Sequence, residues 1–428
     1  MSAMSHDTAF EMASSSIRFG PGVTREVGAD LADLGARSVL VIADPKLVGK
    51  YPVNTVLESL AAERLQVTLF DRIRVEPTDE SWSWAIAAAA EARPDAIVAV
   101  GGGSTIDTAK AANLYSTFPA DLLDYVNQPI GKGLPVPGPL KPLIAIPTTA
   151  GTGSETTGVA IFDYERMHAK TGIAHRRLKP TLGLLDPENT RTAPAAVAAS
   201  AGLDVLCHAA ESFTAIPYDS RPRPARPLQR PAYQGSNPIS DVWALEALRL
   251  TAEFLPRAVN DPGDDVARGQ MILASAYAGM GFGNAGVHLP HGMSYPVSGL
   301  VRDFRPSGYD VDHPLVPHGI SVILNAPAVF RFTGQACPER HLRVAQVLGA
   351  DISRAQLADA GKILADQLLK LMRSLGLPNG LKALGYSTAD IPKLVEGTLP
   401  QHRVTKLAPR PAGPDELAAL FEDSLVAW

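Results

Sequence analysis

The first half of the chain alternates continuous apolar runs with stretches typical of helices. S-V-L-V-I-A-D, residues 38–44, is an apolar run that ends in an acid, as buried parallel strands often do. The same pattern predicts further strands at 66–70, 95–100 and 142–147, and helices at 53–64 and 79–92. Because strand and helix patterns alternate, the sequence predicts an α/β domain with a doubly wound, mainly parallel sheet.

The alternation stops after L-G-L-L-D-P, residues 182–187, and helical patterns continue to the C-terminus. We therefore predict an α/β domain over residues 1–190 and an all-α domain over residues 191–428. A proline-rich stretch at 216–231 interrupts the helical pattern and carries Arg221, Arg223, Arg226 and Arg230. Proline breaks helices, so this stretch predicts a long loop, and long loops often carry function.

Residues 269–301 contain no Lys, Arg, Asp or Glu. A membrane span needs about 20 mostly apolar residues. This segment also holds several glycines, Asn284, two histidines and two prolines, so we predict a buried active-site helix and no membrane partner. At the N-terminus we expect no secretory signal, because a basic region followed by an apolar core is lacking, and Asp7 and Glu11 disfavour a transit peptide.

Composition narrows the class of protein further. The 428 residues are 46% apolar and 19% charged, which is ordinary for a globular protein. With a net charge of −5, the sequence lacks the excess of basic residues that is typical of nucleic-acid-binding proteins, so no nucleic-acid partner is expected. With only Cys207 and Cys337, a disulfide framework is not expected, and a reducing compartment is the simplest interpretation.

Two turns rich in glycine and threonine follow predicted strands. G-G-G-S-T-I-D-T-A-K (101–110) follows one strand and T-T-A-G-T-G-S-E (148–155) follows another. A glycine turn lets backbone N–H groups approach a phosphate at a helix N-terminus, which Ser104 can cap. Turns at the carboxyl ends of parallel strands form a crevice for a nucleotide. We assign to cofactor binding Gly102, Gly103, Ser104, Asp107, Thr148, Thr149, Thr152 and Lys170.

Asp44 ends an earlier predicted strand. An acid at this position typically binds the ribose hydroxyls and repels a 2′-phosphate, which favours NAD over NADP. The alternative is a helix N-cap, and the two roles are compatible.

Asp204 and His208 lie four residues apart in a run that predicts helix, A-G-L-D-V-L-C-H-A-A-E-S (201–212). This spacing puts both side chains on one face, as half of a metal site. Histidines for the other half are available downstream at His288, His291 and His318. The alternative is that Asp204 and His208 pair only with each other or with solvent.

Taken together, these motifs resemble the iron-containing (group III) alcohol dehydrogenase family over nearly the whole chain. The resemblance lies in G-G-G-S with Asp107, P-T-T-A-G-T-G-S-E, G-L-D-V-L-C-H-A-x-E, the His-Gly-Met segment and P-H-G. It implies the fold shared with dehydroquinate synthase, an N-terminal NAD(P) domain, and one divalent metal in the helical domain. The implied metal ligands are Asp204, His208, His291 and His318. An aspartate and three histidines suit Fe(II) or Zn(II).

Longer stretches resemble the hydroxyacid–oxoacid transhydrogenase branch of this family. They are R-P-A-Y-Q-G-S-N-P-I-S-D (230–241), G-F-G-N-A-G-V-H-L-P-H-G-M-S-Y-P (281–296), V-D-H-P-L-V-P-H-G (311–319) and T-L-P-Q-H-R-V-T-K-L-A-P-R-P (398–411). The resemblance implies hydride transfer from 4-hydroxybutyrate to 2-oxoglutarate through NAD. It also implies a mitochondrial location in a eukaryote, whereas a bacterial protein would be cytoplasmic. We further expect a homodimer.

One position departs from many members of the family, which have a histidine four residues after the ligand matched by His291. Here that residue is Tyr295. The resemblance implies that this histidine relays protons in those enzymes. In this chain Tyr295 or His288 is the candidate to replace it, and the alternative is that solvent relays the proton. His288 can equally be a polar residue of the core.

Anionic substrates also need a cation for the carboxylate that does not react. Arg230 is our sequence-based candidate, because it adjoins the transhydrogenase-like stretch and Arg suits carboxylates. The alternative is a solvated loop. Competing functions are a lyase like dehydroquinate synthase, a non-catalytic helical scaffold or metal store, and a dehydrogenase or maleylacetate reductase that releases free NAD(H).

Overall fold

The computed structural model describes residues 6–167 and 169–428. They form two compact units. The α/β unit contains residues 13–193 and 262–279, and the helical unit contains residues 6–12, 194–261 and 280–428. Neither unit is a single continuous segment, because the N-terminal residues 6–12 pack with the helical unit and 262–279 pack with the α/β unit.

The α/β unit is built on a six-stranded parallel sheet within the described residues. Its strands are β1 (Ser16–Phe19), β2 (Ser38–Ala43), β3 (Gln66–Phe70), β4 (Ala96–Gly101), β5 (Leu143–Pro147) and β8 (Leu182–Leu185). They are ordered β1-β8-β5-β4-β2-β3. The strand at 16–19 had no counterpart in the sequence-based prediction. The predicted strands and their parallel pairing are confirmed.

Helices cover both faces of this sheet. They are α1 (Val27–Asp33), α2 (Tyr51–Ala62), α3 (Asp79–Ala92), α4 (Gly103–Thr117) and the short α5 (Leu122–Tyr125). Alternate residues of β2 serve the two layers. Val39 and Val41 pack in the core that contains α1 and α2, whereas Leu40 and Ile42 pack in the core that contains α3 and α4. This arrangement explains why the strand is a continuous apolar run rather than an alternating one.

Two further strands form a separate antiparallel pair, β6 (Val159–Tyr164) with β7 (Ala169–Ala174). The sequence-based prediction contained neither strand. Strand β7 carries Lys170 and Thr171 and has no apolar run, whereas β6 begins with the apolar run V-A-I-F (159–162), which sequence reasoning missed.

The helical unit supplies most of the remaining elements. They are α6 (Ala195–Thr214), α7 (Pro238–Asn260), α8 (Asp265–Ala285, which begins in the α/β unit), α9 (Leu289–Gly299), α10 (His318–Ile323), α11 (Ala326–Thr333), α12 (Pro338–Val347), α13 (Ala360–Ser374), α14 (Ile391–Thr398), α15 (His402–Thr405) and α16 (Pro414–Ser424). The predicted fold class is thus confirmed: a doubly wound parallel sheet followed by an all-α region.

The sequence predicted one helix over the uncharged segment 269–301. In the structure this segment contains the end of α8 and the whole of α9. The break lies at Gly286, whose φ of +98° is a left-handed conformation that favours glycine. A Cβ at Gly286 would also lie 2.3 Å from Leu407 Cδ1. The break turns the chain so that α9 starts at Leu289, with Pro290 in its first turn. In the described residues, no helix has the length and apolar character needed to span a bilayer.

Candidate active site

Asp204 and His208 project from one face of α6, His291 from α9, and His318 is the first residue of α10. The Nε2 atoms of the three imidazoles approach one atom, Asp204 Oδ1. His208 lies 3.7 Å from it, His291 3.4 Å and His318 3.8 Å. Asp204, His208 and His291 are buried and His318 is partly exposed. The structure therefore brings all four predicted metal ligands together.

These distances fit a metal shell. Two ligand atoms that each lie about 2.1 Å from a tetrahedral ion are roughly 3.4 Å apart. The candidate ligand atoms of Asp204, His208 and His291 lie within 4.8 Å of one another. Asp204 Oδ1 and His291 Nε2 are buried, and no described group forms a hydrogen bond with either. Buried polar atoms without partners are costly, and a divalent cation would satisfy both.

The electrostatics favour the ligand forms of Asp204 and His208. Burial alone would raise the pKa of Asp204, but His208, His318 and His291 together lower it below its ordinary range. Burial lowers the pKa of His208 to about 3, against the opposing effect of Asp204. An ionised carboxylate and a neutral imidazole are the protonation states that bind metal.

Glu211 lies one turn after His208 on α6 and contacts His291 on the side of the ring that faces away from the other proposed ligands. Its Oε1 lies 2.6 Å from His291 Nδ1, and its Oε2 accepts hydrogen bonds from the backbone N of His288 (2.7 Å) and His291 (3.4 Å). A hydrogen bond to Nδ1 fixes the imidazole so that Nε2 faces the other ligands. Burial opposes charge on His291, but Glu211 and Asp204 raise its pKa to about 10. Sequence reasoning missed Glu211, although its position seven residues after Asp204 places it on the same helix face.

His288 and Tyr295, the two predicted relay residues, have different surroundings. His288 precedes α9 rather than sharing its face, and its Nε2 lies 3.0 Å from Thr214 Oγ1. Its ring meets the Phe330 ring edge to face, and burial lowers its pKa to about 4. Tyr295 lies on α9, one turn after His291, and its hydroxyl accepts a hydrogen bond of 2.8 Å from Arg403 Nη2.

Arg230 has a protein partner. Its Nε and Nη2 donate to the buried carboxylate of Asp7 at 2.9 and 3.1 Å, and Arg221 pairs with the same carboxylate at 2.8 Å. The hydrogen bond from Arg230, aided by Arg221 and opposed by burial, lowers the pKa of Asp7 to about 2. The arginine-rich loop therefore anchors residues 6–12, and the predicted carboxylate role of Arg230 stays a prediction.

The two glycine- and threonine-rich turns of the α/β unit touch each other at the ends of β4 and β5. A Cβ on Gly103 would lie 2.4 Å from Thr152 Cγ2, and one on Gly102 would lie 3.1 Å from Thr149 Oγ1. The backbone N of Thr148 donates to Gly101 O at 3.1 Å. Glycine permits this close approach of the two turns at the N-terminus of α4, and a helix N-terminus favours an anion.

The remaining cofactor candidates surround these turns. The prediction that Ser104 caps α4 is wrong, because Gly102 is the N-cap. The Ser104 hydroxyl lies inside the first turn and accepts a hydrogen bond from Glu76 N at 3.1 Å. Asp107 accepts from Ser154 Oγ at 2.5 Å and from Ile161 N at 2.9 Å. Lys170 pairs with Glu76 and, at 3.3 Å, with Asp163.

Sequence reasoning also missed Lys110, which is buried and donates to Ser154 Oγ at 2.6 Å and Val159 O at 2.7 Å. Burial lowers its pKa to about 8. Its position three residues after Asp107, on the same helix, was the available signal.

Asp44 follows β2 directly and is partly buried. Its Oδ1 accepts from Lys46 N at 2.8 Å, so it caps the short 3₁₀ helix Pro45–Leu47. Burial raises its pKa from the ordinary value. The structure therefore shows Asp44 as a helix N-cap, which was the alternative interpretation. The second carboxylate oxygen of Asp44, Oδ2, takes no part in the hydrogen bond with Lys46 N.

Known proteins match the chain over nearly its whole length. Residues 14–187 match the family described as iron-containing alcohol dehydrogenase, and residues 232–425 match the description Fe-containing alcohol dehydrogenase family, C-terminal. The chain belongs to the iron-containing alcohol dehydrogenase family. Members of this family are oxidoreductases that act on CH–OH groups, and this chain is one of them.

Among curated members of the family, hydroxyacid-oxoacid transhydrogenase, mitochondrial, of Bos taurus is 61% identical over 98% of this chain and 90% of its own length. The protein of the same name from Homo sapiens is 60% identical over the same shares. The solved structure of 1,3-propanediol oxidoreductase has a TM-score of 0.84 at 28% identity, covering 97% of this chain and all of its own. Sulfoacetaldehyde reductase from Bifidobacterium kashiwanohense, solved in complex with NAD+, has a TM-score of 0.78 at 25% identity, covering 97% of this chain and 98% of its own.

Proposed function

We propose that this chain is a metal- and NAD-dependent hydroxyacid–oxoacid transhydrogenase that passes a hydride from 4-hydroxybutyrate to 2-oxoglutarate. The observation that carries the proposal is the convergence of three imidazole nitrogens on Asp204 Oδ1. It is supported by 60–61% identity to relatives that bear this name. The metal is proposed to be Fe(II) or Zn(II), since one carboxylate and three imidazoles suit both.

The proposed reaction has two balanced halves. In the first, C4 of 4-hydroxybutyrate loses a hydride and its hydroxyl loses a proton, giving succinate semialdehyde. In the second, the hydride and a proton add to the C2 carbonyl of 2-oxoglutarate, giving 2-hydroxyglutarate. When bound, a divalent metal supplies Lewis-acid stabilisation of charge on the reacting oxygen, and NAD supplies the hydride carrier.

Each residue of the site has a proposed part. Asp204, His208, His291 and His318 would hold the metal, and Glu211 keeps His291 in the metal-binding tautomer. The Tyr295 hydroxyl accepts from Arg403, which leaves its own proton available for a second partner. We therefore favour Tyr295 over His288 as the residue that exchanges a proton with the substrate. His288 already contacts Thr214 and Phe330.

The test is a two-substrate assay with purified, metal-loaded protein. With 4-hydroxybutyrate and 2-oxoglutarate, we expect equal amounts of succinate semialdehyde and 2-hydroxyglutarate, with no more NADH in solution than there is enzyme. Accumulation of free NADH from 4-hydroxybutyrate alone, over many turnovers, would indicate instead a dehydrogenase that releases its cofactor. If the enzyme converted neither 4-hydroxybutyrate nor 2-oxoglutarate, the proposed substrates would be wrong.

We further propose that the α/β unit binds NAD through the two turns and Asp44, and that it prefers NAD to NADP. A carboxylate near the ribose repels a 2′-phosphate, and a charge pair about 4 Å apart near a surface is worth a few kcal/mol. Asp44→Ser should therefore reduce the preference for NAD, measured as the dissociation constant of NADP divided by that of NAD, by roughly tenfold or more. Asp33→Ser, an exposed acid in the same unit, is the control and should leave the ratio unchanged. A wild-type protein that binds both cofactors equally would contradict the prediction.

Assembly and compartment also stay proposals. We propose a homodimer, which sedimentation of the purified protein can test. We propose a mitochondrial location in a eukaryotic source, as the relatives' names state for those proteins, and a cytoplasmic one in a bacterial source.

A further inference from the structure

Arg403 lies on the short helix α15, which packs against α9. A Cβ on Gly292 of α9 would lie 2.7 Å from Thr405 Cγ2, so the two helices are in close contact there. The Nη2 of Arg403 donates to the Tyr295 hydroxyl at 2.8 Å, and its guanidinium carbon lies 4.9 Å from the centre of the Tyr233 ring.

Two paths through the helical unit connect Arg403 with the proposed metal ligands, one through ring contacts and one through the spacing of residues on α9. Along the first, the ring of Tyr233 meets Phe282 edge to face at 6.4 Å, and Phe282 stacks on His208 at 3.9 Å. Along the second, Tyr295 stands one helical turn, about 5.4 Å, beyond His291 on α9. The guanidinium is thus connected with the metal cluster through the side chains of Tyr233, Phe282 and Tyr295.

The charge of Arg403 lacks an anion. Its Nη1 is buried and no described group accepts a hydrogen bond from it. Within the described part of the chain, Arg403 forms no ion pair with a carboxylate, whereas other arginines of the helical unit do, such as Arg340 with Asp241 at 2.6 Å. Burial opposes the charge, but Tyr295 and Tyr233 raise the pKa of Arg403, so it is a cation. A cation whose N–H group is buried without an acceptor is costly, and a ligand carboxylate would offset that cost.

The chemistry of the proposed substrates calls for one cation at one distance. In 4-hydroxybutyrate the reacting carbon is C4 and the carboxylate carbon is C1. In 2-oxoglutarate the reacting carbon is C2 and the remote carboxylate carbon is C5. Both pairs are three bonds apart, so a single guanidinium serves both halves of the reaction. The reacting oxygen and the carboxylate carbon are about 5 Å apart in an extended chain with bonds of about 1.5 Å.

We propose that Arg403 binds the remote carboxylate shared by the hydroxyacid and oxoacid substrates and so determines the specificity of the enzyme for them. This inference rests on the proposed function, because it assumes that both substrates react at the metal cluster. It assigns the carboxylate to Arg403 rather than to Arg230, whose guanidinium is already bound to Asp7.

The test compares Arg403→Gln with the wild type on two matched pairs of substrates. The first pair is 4-hydroxybutyrate and its uncharged amide, and the second is 2-oxoglutarate and 2-oxopentanoate, which lacks the remote carboxylate. For the variant, kcat/KM should fall roughly tenfold or more on each acid relative to its counterpart, as expected for a lost charge-assisted pair. Calorimetry should show a similar loss in affinity for 4-hydroxybutyrate without any turnover. Arg403→Lys keeps the cation and should restore part of both.

Two further variants separate this role from alternatives. Arg410→Gln is the matched control, because Arg410 also stacks on an aromatic ring, Phe332 at 4.0 Å, but is exposed; it should keep the wild-type preference. Arg230→Gln tests the sequence-based candidate in the same assay. If Arg230→Gln lost the preference for the acids and Arg403→Gln kept it, the inference would be wrong.

An equal loss on charged and uncharged substrates would show that Arg403 only positions Tyr295, and would overturn the inference. Should Arg403→Gln fail to fold, Arg403→Lys takes its place in the assay, and a wild type whose kcat/KM for 4-hydroxybutyrate does not exceed that for the amide would overturn the inference. Failure of the proposed function would look different, since the wild type would then transfer no hydride from the hydroxyacid at all.

Discussion

Replacing His208 with alanine is expected to weaken the binding of divalent metal by about 100-fold or more and to reduce hydride transfer in proportion. Loss of a residue that merely orients a ligand already costs about 10–100-fold in affinity, and an inner ligand should cost at least as much. His208 Nε2 lies 3.7 Å from Asp204 Oδ1, and its ring stacks on His291 at 4.6 Å. Metal bound per chain after dialysis, and the dissociation constant by competition with a chelator, measure the effect.

The matched control is His341→Ala, which also removes a buried imidazole from the helical unit. His341 Nε2 lies 2.9 Å from Thr333 Oγ1, and His341 is not among the proposed metal ligands. Both variants should lose thermal stability, but only His208→Ala should lose metal. Full metal content and full turnover in folded His208→Ala would remove the metal assignment altogether.

The central strands β2, β4 and β5 could be predicted because each is a continuous apolar run buried on both faces, as residues 39–42 of β2 show. Strand β7 could not, since its polar residue Lys170 finds its partners only after the chain has folded. The break in 269–301 depends on the backbone conformation of Gly286, and a glycine inside a helical pattern does not by itself reveal a left-handed φ.

The metal cluster, like the fold, could be predicted only in part from local sequence patterns. Asp204 and His208 are four residues apart, so helical periodicity alone places them together. His291 and His318 came from the family resemblance, because no local rule brings residues 83 or more positions away from His208 to its side. Arg403 is farther still along the chain, and the sequence drew attention to Arg230 because it lies in an arginine-rich loop and adjoins a transhydrogenase-like stretch. Contacts with Asp7 and Tyr295, which distinguish these two arginines, are visible only in the fold.

The second large effect is expected at Glu211, where Glu211→Gln should weaken metal binding by about 10–100-fold without removing any ligand. The glutamine keeps the size of the side chain and one acceptor oxygen, but it removes the negative charge. In the wild type the carboxylate contacts His291 Nδ1 at 2.6 Å and accepts from His288 N at 2.7 Å. Burial opposes its ionisation, but His291 and His288 lower the pKa of Glu211, so the charge is present near neutral pH.

A neutral amide cannot accept both hydrogen bonds equally well, so His291 should lose its fixed tautomer and some of its basicity toward the metal. The measurement is the metal dissociation constant by chelator competition, compared with that of Glu188→Gln, a partly buried glutamate of the α/β unit. If Glu211→Gln lost stability but bound metal as tightly as the wild type, Glu211 would serve only to hold the start of α9. A loss in metal affinity that exceeds any loss in stability would instead identify the carboxylate as the group that presents His291 Nε2 to the metal.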